Sequence, residues 1–392
     1  MNSDFKRFMQ FIVVLIALLF TIHYDVDAVG NSPCNLLKGI DQKLFQGRAP
    51  LVIKYNEKSI MLDRTGILHY YNKKLSRLGE IDLSVNHKKI SRTGLTSGSD
   101  STAISYTAIL DNVLYAIQDV ENTGRVQWKK EFRAPIKGAS NVFNSKLAVL
   151  TADNYMYMLD ATNGELLWSY YNGSHDIRLT GLYTVMSSHS ASPFLTSKDD
   201  IGIVIVPFLN GELKAFDERG KILWSYKLSV DHINTPFTDI ASLTPGFTDN
   251  IVVANKSGIA VINITSGNLI WSQPLQVQSI NIDYKQGWLN VVTEDDRILG
   301  IDKHNGEIKF ETKLAIRNGK YTMLMPCSDV ICVISNKGVV FVLDSYSGNV
   351  MKVINVTKGV YYKAFSSYDE LKASFAFVTG RGDIYFCDVE YR

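Results

Sequence analysis

The residues with the most capacity for chemistry in this chain are four cysteines, Cys34, Cys327, Cys332 and Cys387, and a scatter of histidines, His69, His87, His175, His189, His232 and His304, beyond the first segment. An even cysteine number permits two disulfides in any of three pairings. Cys327 and Cys332 flank a short apolar stretch and could bridge at a strand turn, Cys34 and Cys387 could staple the two ends of the chain, and buried thiols are the alternative. A zinc site is not expected, since the spacings lack paired Cys-x-x-Cys units and no histidine cluster lies nearby. The run Glu294-Asp295-Asp296 resembles a metal loop only in composition and reads better as a solvated hairpin turn. No Gly-x-Ser-x-Gly elbow, phosphate loop or His-Glu-x-x-His pair occurs. The histidines are expected in exposed loops, and no catalytic, cofactor-binding or metal-binding residue is expected.

The composition is that of a globular body. Hydrophobic residues make up 46% of the chain and charged residues 20%, with a net charge of +2, so core material is ample and no strong field invites nucleic acid or an acidic membrane surface. Lys6 and Arg7 precede an apolar run from Phe8 to Ile22, followed by a small-residue site at Val26-Asp27-Ala28. That layout predicts a signal peptide over residues 1–28. The run is short of the roughly 20 residues that span a bilayer, so an uncleaved anchor is the lesser alternative and no mature transmembrane segment is expected. The expected destination is outside the cell or the lumen of the secretory pathway. Four sequons fit that route as glycosylation sites, at Asn172, Asn255, Asn263 and Asn355.

The elements that must position any site are set by a repeat. Its clearest copy runs from Asp160 through Gly164 to Trp168: an acid or amide, a polar turn, a glycine, and a bulky residue four places later. It returns as Gly124 with Trp128, Gly220 with Trp224, Gly267 with Trp271, Gly306 with Phe310 and Gly348 with Lys352. Counting a weak first copy at Gly79, the glycines are separated by 45, 40, 56, 47, 39 and 42 residues, a period that points to propeller blades. The stretch Arg178 to Lys198, rich in Ser and Thr, is expected to be a long loop that explains the widest interval.

Each unit reads as short strands, because apolar residues alternate or run for a few positions between Gly, Asn, Asp and Ser. In the clearest unit, Leu147–Thr151, Tyr155–Asp160 and Glu165–Ser169 are strands, and the Asn-Gly pair at 163–164 turns the chain where positive φ costs little. A small antiparallel sheet cannot cover both of its apolar faces, so the units must stack. Trp128, Trp168, Trp224 and Trp271 are expected to fill the spaces between them, each burying roughly 150–250 Å².

The pattern Asp-x-x-Thr/Ser-Gly-x-x-x-Trp after an apolar strand resembles the repeat of the PQQ-like (quinoprotein alcohol dehydrogenase-like) β-propellers over roughly residues 44 to 392. That family includes quinoprotein dehydrogenases, a bacterial lipoprotein of the outer-membrane β-barrel assembly machine, and luminal domains of endoplasmic-reticulum proteins. The resemblance implies an all-β, eight-bladed propeller of four-stranded antiparallel sheets, with seven blades as the alternative. Residues 29–42 are expected to precede a propeller over 43–392, whose last, incomplete blade Lys43–Gln46 would complete. The dehydrogenases use a quinone, calcium, a catalytic Asp and typically adjacent cysteines; this chain has no adjacent cysteines and is considerably shorter. The expected function is a non-catalytic scaffold that binds a protein partner, against the alternative of a quinone- or metal-dependent oxidoreductase. The loop Thr180 to Asp200 and the basic stretch His87 to Arg92 are candidate contact segments.

Overall fold

The computed structural model describes residues 34–36, 51–55, 58–63, 65–72, 76–84, 93–97, 104–140, 142, 144–173, 194–198, 201–228, 239–242, 249–283, 287–314, 321–327, 330–355, 361–368, 372–379 and 384–390. Strands account for all regular structure among them, in eight four-stranded antiparallel sheets. No helix among the described residues is long and apolar enough to cross a membrane. Numbered in chain order, sheet one holds Leu51–Tyr55, Lys58–Leu62, Ile67–Tyr71 and Arg77–Asp82. Sheet two holds Thr93–Ser97, Tyr106–Leu110, Val113–Val120 and Thr123–Glu131, and sheet three Ile136–Ala139, Lys146–Thr151, Tyr155–Asp160 and Leu166–Tyr171. Sheet four holds Phe194–Lys198, Ile201–Pro207, Glu212–Asp217 and Ile222–Lys227, and sheet five Asp239–Ser242, Asn250–Asn255, Gly258–Asn263 and Leu269–Gln273. Sheet six holds Val277–Asp283, Trp288–Thr293, Arg297–Asp302 and Ile308–Lys313, and sheet seven Tyr321–Cys327, Val330–Ser335, Val339–Asp344 and Val350–Asn355.

In these seven the hydrogen-bond order is the chain order. The eighth sheet breaks it: Tyr361–Tyr368, Lys372–Thr379 and Ile384–Glu390 are completed by Cys34–Leu36 from the other end of the chain. The strand that finishes this sheet is therefore not Lys43–Gln46, which lies outside the described residues, and it falls inside the segment expected to precede the propeller. The first strand of sheet one also touches the first strand of sheet eight, so the two ends of the series meet. Phe194–Lys198 is a further correction, being the first strand of sheet four rather than loop. The rest of the Ser/Thr-rich stretch, like His87 to Arg92, lies outside the described residues.

The middle strands show why the sheets must stack. Lys146–Thr151 is buried from its second residue to its last, and Val330–Ser335 throughout, so both faces of these strands are covered, whereas the fourth strand Leu166–Tyr171 is exposed or half-buried along its length. The cover comes from the neighbouring sheet. One buried cluster joins Ile203, Leu213 and Trp224 of sheet four to Ile251, Ala260 and Ile262 of sheet five. Another joins Val252, Val261 and Trp271 of sheet five to Leu289, Val291 and Leu299 of sheet six. The same two-sheet make-up holds for sheets one with two, two with three, three with four and six with seven. The core is thus a series of seams, each made by two sheets.

One seam contains a polar exception. Asn290 is fully buried, and neither amide atom has a partner among the described residues. It stands opposite Gly300, which stands opposite Phe310. The corresponding places in sheets three, four and five are Ala148, Ile205 and Val252. Leaving a buried amide unsatisfied costs about 1–3 kcal/mol. Asn290→Val is accordingly expected to raise the stability to chemical unfolding by about 1 kcal/mol or more, and an equilibrium urea titration that finds a fall would refute this assignment.

Candidate functional site

The repeat residues meet at the seams, and each aromatic works on the next sheet rather than its own. The acid or amide opening each turn folds that turn. Asp160 Oδ1 accepts from the Thr162 amide at 2.7 Å, Asp217 Oδ1 from Arg219 and Lys221 at 2.9 and 2.8 Å, and Asp302 Oδ1 from His304 at 2.9 Å. The Thr162 hydroxyl also donates to Asp160 and holds its carboxyl below the ordinary value. The glycine then takes a left-handed backbone, with φ of 76° at Gly164, 85° at Gly220, 71° at Gly267, 77° at Gly306 and 71° at Gly348.

Above each of these glycines lies the ring of the preceding sheet. A Cβ added at Gly164 would meet Trp128 at 2.8 Å, at Gly220 Trp168 at 2.8 Å, at Gly267 Trp224 at 2.6 Å, at Gly306 Trp271 at 2.8 Å, and at Gly348 it would meet Phe310. The indole N–H groups bond into the same turns: Trp128 donates to the Ala161 carbonyl at 2.8 Å, Trp168 to Glu218 at 2.9 Å, Trp224 to Ile264 at 2.6 Å and Trp271 to Lys303 at 3.0 Å. A side chain two places after the aromatic reaches the glycine carbonyl as well, as Lys130 does to Gly164 at 2.7 Å and Thr312 to Gly348 at 2.8 Å. Flat ring, bare glycine and turn carbonyl form one latch.

A β-bulge aims the ring. Trp168 faces Met158, but the next rung pairs Leu159 with Leu166, so Leu167 is the extra residue. Leu223, Ile270, Lys309 and Met351 are extra in the same way in sheets four to seven, and Gln127 in sheet two. Bulges bend a strand and re-aim its side chains. One consequence is an apolar pair standing in water ahead of three of the tryptophans, Trp168, Trp224 and Trp271: Leu166 with Leu167, Ile222 with Leu223 and Leu269 with Ile270, all 39–49% exposed. The spacing of glycine and tryptophan draws no attention to these pairs, although their recurrence just before Trp in three consecutive repeats is a signal the sequence carries.

Sheet one inverts the pattern. Gly79 stands opposite Tyr70, in the register place held elsewhere by tryptophan, so it is not the turn glycine of a first repeat. The bulk has moved to the facing residue: Tyr70 is fully buried where sheets two, four and six have Ala116, Ala215 and Gly300. The Tyr70 hydroxyl bonds that of Tyr106 beneath Gly124, whose φ is not positive, and burial raises the Tyr70 phenol well above its ordinary range. Lys58 and Asp119, 2.9 Å apart, add an ion pair across this seam. Lys352, at the aromatic place in sheet seven, is exposed.

Of the candidate ligating residues, His69 departs from expectation. It is a buried strand residue whose Nε2 lies 2.9 Å from Asp63 Oδ2, with Glu80 3.8 Å from its Nδ1. Burial alone would raise the Asp63 carboxyl, but hydrogen bonds from His69, the Ile67 and Thr65 amides and the Thr65 hydroxyl outweigh it and hold the group below 3.8. Tyr71 beside it is pushed up to about 12 by burial. An acid on each side fixes the imidazole, so the cluster reads as a strut. Among the described residues no group of three or more acids, histidines or cysteines could hold a metal ion. His304 and the Glu294–Asp296 run sit in turns, Arg297 Nε donating to Asp295 at 2.7 Å.

The sequons fare unevenly. Asn172 is buried, its Nδ2 donating to Glu212 Oε2 at 3.0 Å, and Asn255 is fully buried, its Nδ2 donating to the Leu228 carbonyl at 3.1 Å. In the folded chain a sugar on either Nδ2 would displace those bonds. Asn263 shapes its own turn, its Oδ1 accepting from the Ser266 amide at 2.9 Å, and the Asn355 side chain lies outside the described residues. Cys332 is buried opposite Met325 while Cys327 stands opposite Val330, so the register does not set these two cysteines across from each other.

Comparison with known proteins places this architecture. A family model described as outer membrane protein assembly factor BamB matches residues 75–245 and 209–392. An outer membrane protein assembly factor BamB of Nitrosomonas eutropha is 27% identical over 165 residues, and the match spans 39% of this chain and 36% of that protein's length. Among solved structures, BamB from Moraxella catarrhalis superposes with a TM-score of 0.66 at 16% identity, over 91% of this chain and 98% of that one. Sqt1 of Saccharomyces cerevisiae gives 0.69 at 12% identity, over 88% and 98%. The quinohemoprotein alcohol dehydrogenase of Comamonas testosteroni gives 0.61 at 11% identity, over 92% and 77%. At such identities the structural likenesses show the β-propeller fold alone. The relatives named as assembly factors are bacterial, which corrects the expectation of a secreted chain or one in the lumen of the secretory pathway. The pattern expected of a signal peptide, basic residues before a short apolar run, is common to bacterial and eukaryotic export and does not tell the two apart.

The latch and the strut each yield a test. Gly173 and Gly267 both have positive φ, but a Cβ on Gly173 would meet nothing within 4 Å among the described residues. Gly173→Ala should therefore cost only the backbone strain of about 1–2 kcal/mol, and Gly267→Ala clearly more, because Trp224 must also leave its turn. Equal losses in denaturant titrations would contradict the latch. For Asp63, a carboxyl whose folded value is depressed contributes stability that is present above the ordinary 3.8 and is lost as the pH falls through the lower folded value. The stability advantage of the native protein over Asp63→Asn should hold steady at neutral pH and shrink below 3.8, whereas an advantage that grows on acidification would reverse the sign.

Proposed function

The chain belongs to the PQQ-like propeller family described as outer membrane protein assembly factor BamB, and from that premise we propose that it is a non-catalytic scaffold that binds a protein partner during the assembly of outer membrane proteins. In this reading the eight sheets are the eight blades of one closed ring, and residues 1–28 are an export leader. The observation that carries the proposal is the row of half-exposed apolar pairs, Leu166–Leu167, Ile222–Leu223 and Leu269–Ile270, on the outermost strands of three consecutive sheets. Water-facing apolar groups in register across neighbouring sheets suit an interface with protein. The bulge behind each pair blunts the strand edge against added strands, so the partner is read through side chains.

The residues of the repeat support the same reading, because they are consumed by the seams. Trp128, Trp168, Trp224 and Trp271 cover glycines and bond turn carbonyls, and the acids and amides of the turns accept backbone N–H groups. None of these is left to face a substrate.

The test replaces one residue of each pair. The triple variant Leu167→Lys, Leu223→Lys and Ile270→Lys should melt close to the native protein, since surface changes usually stay within about 0.5 kcal/mol each. A photo-crosslinker at Leu223 in the native host should trap a defined envelope protein, and the triple variant should lose it by co-purification. Retention of that partner by the triple variant would place the interface elsewhere. Stoichiometric, calcium-dependent uptake of a quinone by the purified chain would overturn the non-catalytic reading.

A further inference from the structure

The eighth sheet is closed by three residues. Cys34–Leu36 lies antiparallel to Ile384–Glu390, with Asn35 opposite Phe386 and Leu36 opposite Tyr385. The first rung pairs Cys34 with Cys387. Directly opposite residues in an antiparallel pair have Cα atoms about 4.5 or 5.5 Å apart, within the roughly 4.4–6.8 Å that a cystine spans. We propose that Cys34 and Cys387 form a disulfide that locks the end of the ring.

Two further observations point to this place. The closing strand is the shortest in the fold among the described residues, yet it holds together segments 353 positions apart. A pairing so short and so remote in sequence closes a very long loop for few hydrogen bonds, and a cross-link helps most where the loop is longest. The aromatic latch is also missing on this side of the ring. The residue of sheet seven in the place of Trp128, Trp168, Trp224, Trp271 and Phe310 is Lys352, and it is exposed. Covalent closure stands where the aromatic closure stops.

The other two cysteines fit a single bridge. Cys332 faces Met325 and Cys327 faces Val330 across their hairpin, so no second rung among the described residues pairs two cysteines. In the reaction, the thiolate of one cysteine attacks the disulfide of a donor, either a thiol–disulfide oxidoreductase or a small-molecule disulfide. The second thiolate then displaces the donor sulfur. One Sγ–Sγ bond forms, the donor's S–S bond breaks, and the two thiol protons pass to the donor, which leaves as two thiols. Such a bridge requires an oxidising compartment, of which a bacterial envelope is one.

The experiment uses the full chain, purified without reductant and equilibrated with oxidised glutathione. It is unfolded in the presence of an alkylating reagent, digested and analysed by mass spectrometry. The expected result is a peptide pair joined through Cys34 and Cys387 that separates on reduction, with Cys327 and Cys332 alkylated. Finding both Cys34 and Cys387 alkylated, or either joined to Cys327 or Cys332, would overturn the proposal. Thermal melting supplies a second readout, in which reductant should lower the midpoint of the native protein and leave that of the Cys34→Ser, Cys387→Ser double variant unmoved. An equal drop in both would show that the bridge does not hold the ring. Should the double variant fail to fold, the peptide map of the native chain still decides.

Discussion

The rest of this structure depends on one contact, a flat aromatic ring of one sheet lying on the bare glycine of the next. The glycine is bare for two reasons at once. Its backbone is left-handed, which disfavours a Cβ, and the space where that Cβ would sit is occupied, as at Gly267 beneath Trp224 at 2.6 Å. The ring bonds the turn that carries the glycine, through Trp224 Nε1 to Ile264 at 2.6 Å. Hydrophobic cover, turn geometry and hydrogen bonding therefore share a few residues, and the repeat can vary elsewhere. Each buried cluster joins two consecutive sheets, as Ile205 and Trp224 join Ile251 and Ile262. The unit of stability is the seam, and an isolated sheet would leave apolar surface open on both faces.

Where the latch changes, neighbours change with it. Trp224 faces Ala215 and Phe310 faces Gly300, so a large ring meets a small partner across its own sheet. Gly79 facing Tyr70 has the same sum of sizes in reverse order. At these three rungs a large side chain is matched with a small one, as close packing favours. Lys352, exposed where a ring is due, has no such compensation on its own strand among the described residues. Its sheet adjoins the one the N-terminal strand must complete.

Much of this is legible in the sequence because the repeat is local. Asp160 to Trp168 lies within one turn and the strand that follows, so spacing alone reveals the turn, the glycine and the aromatic. What spacing conceals is the partner, since Gly164 serves Trp128 from the preceding repeat and not Trp168 from its own. Gly79 misleads because a glycine in the aromatic place looks like a turn glycine until strand register is known. His69 looks like a loop residue because its neighbour Asp63, six positions earlier, becomes a bonded partner only through a hairpin. Phe194–Lys198 is hidden by its Ser and Thr content, and the closing strand by its length, too short for any periodicity to show.

Hydrogen exchange of the folded protein, comparing the native chain with Trp224→Ala, tests most directly whether seams are the cooperative units. The account predicts that amides of Ile201–Pro207 in sheet four and of Asn250–Asn255 in sheet five lose protection together, while Trp288–Thr293 of sheet six keeps more of it. Loss confined to sheet four would show that each sheet holds its own stability, and would contradict the central claim.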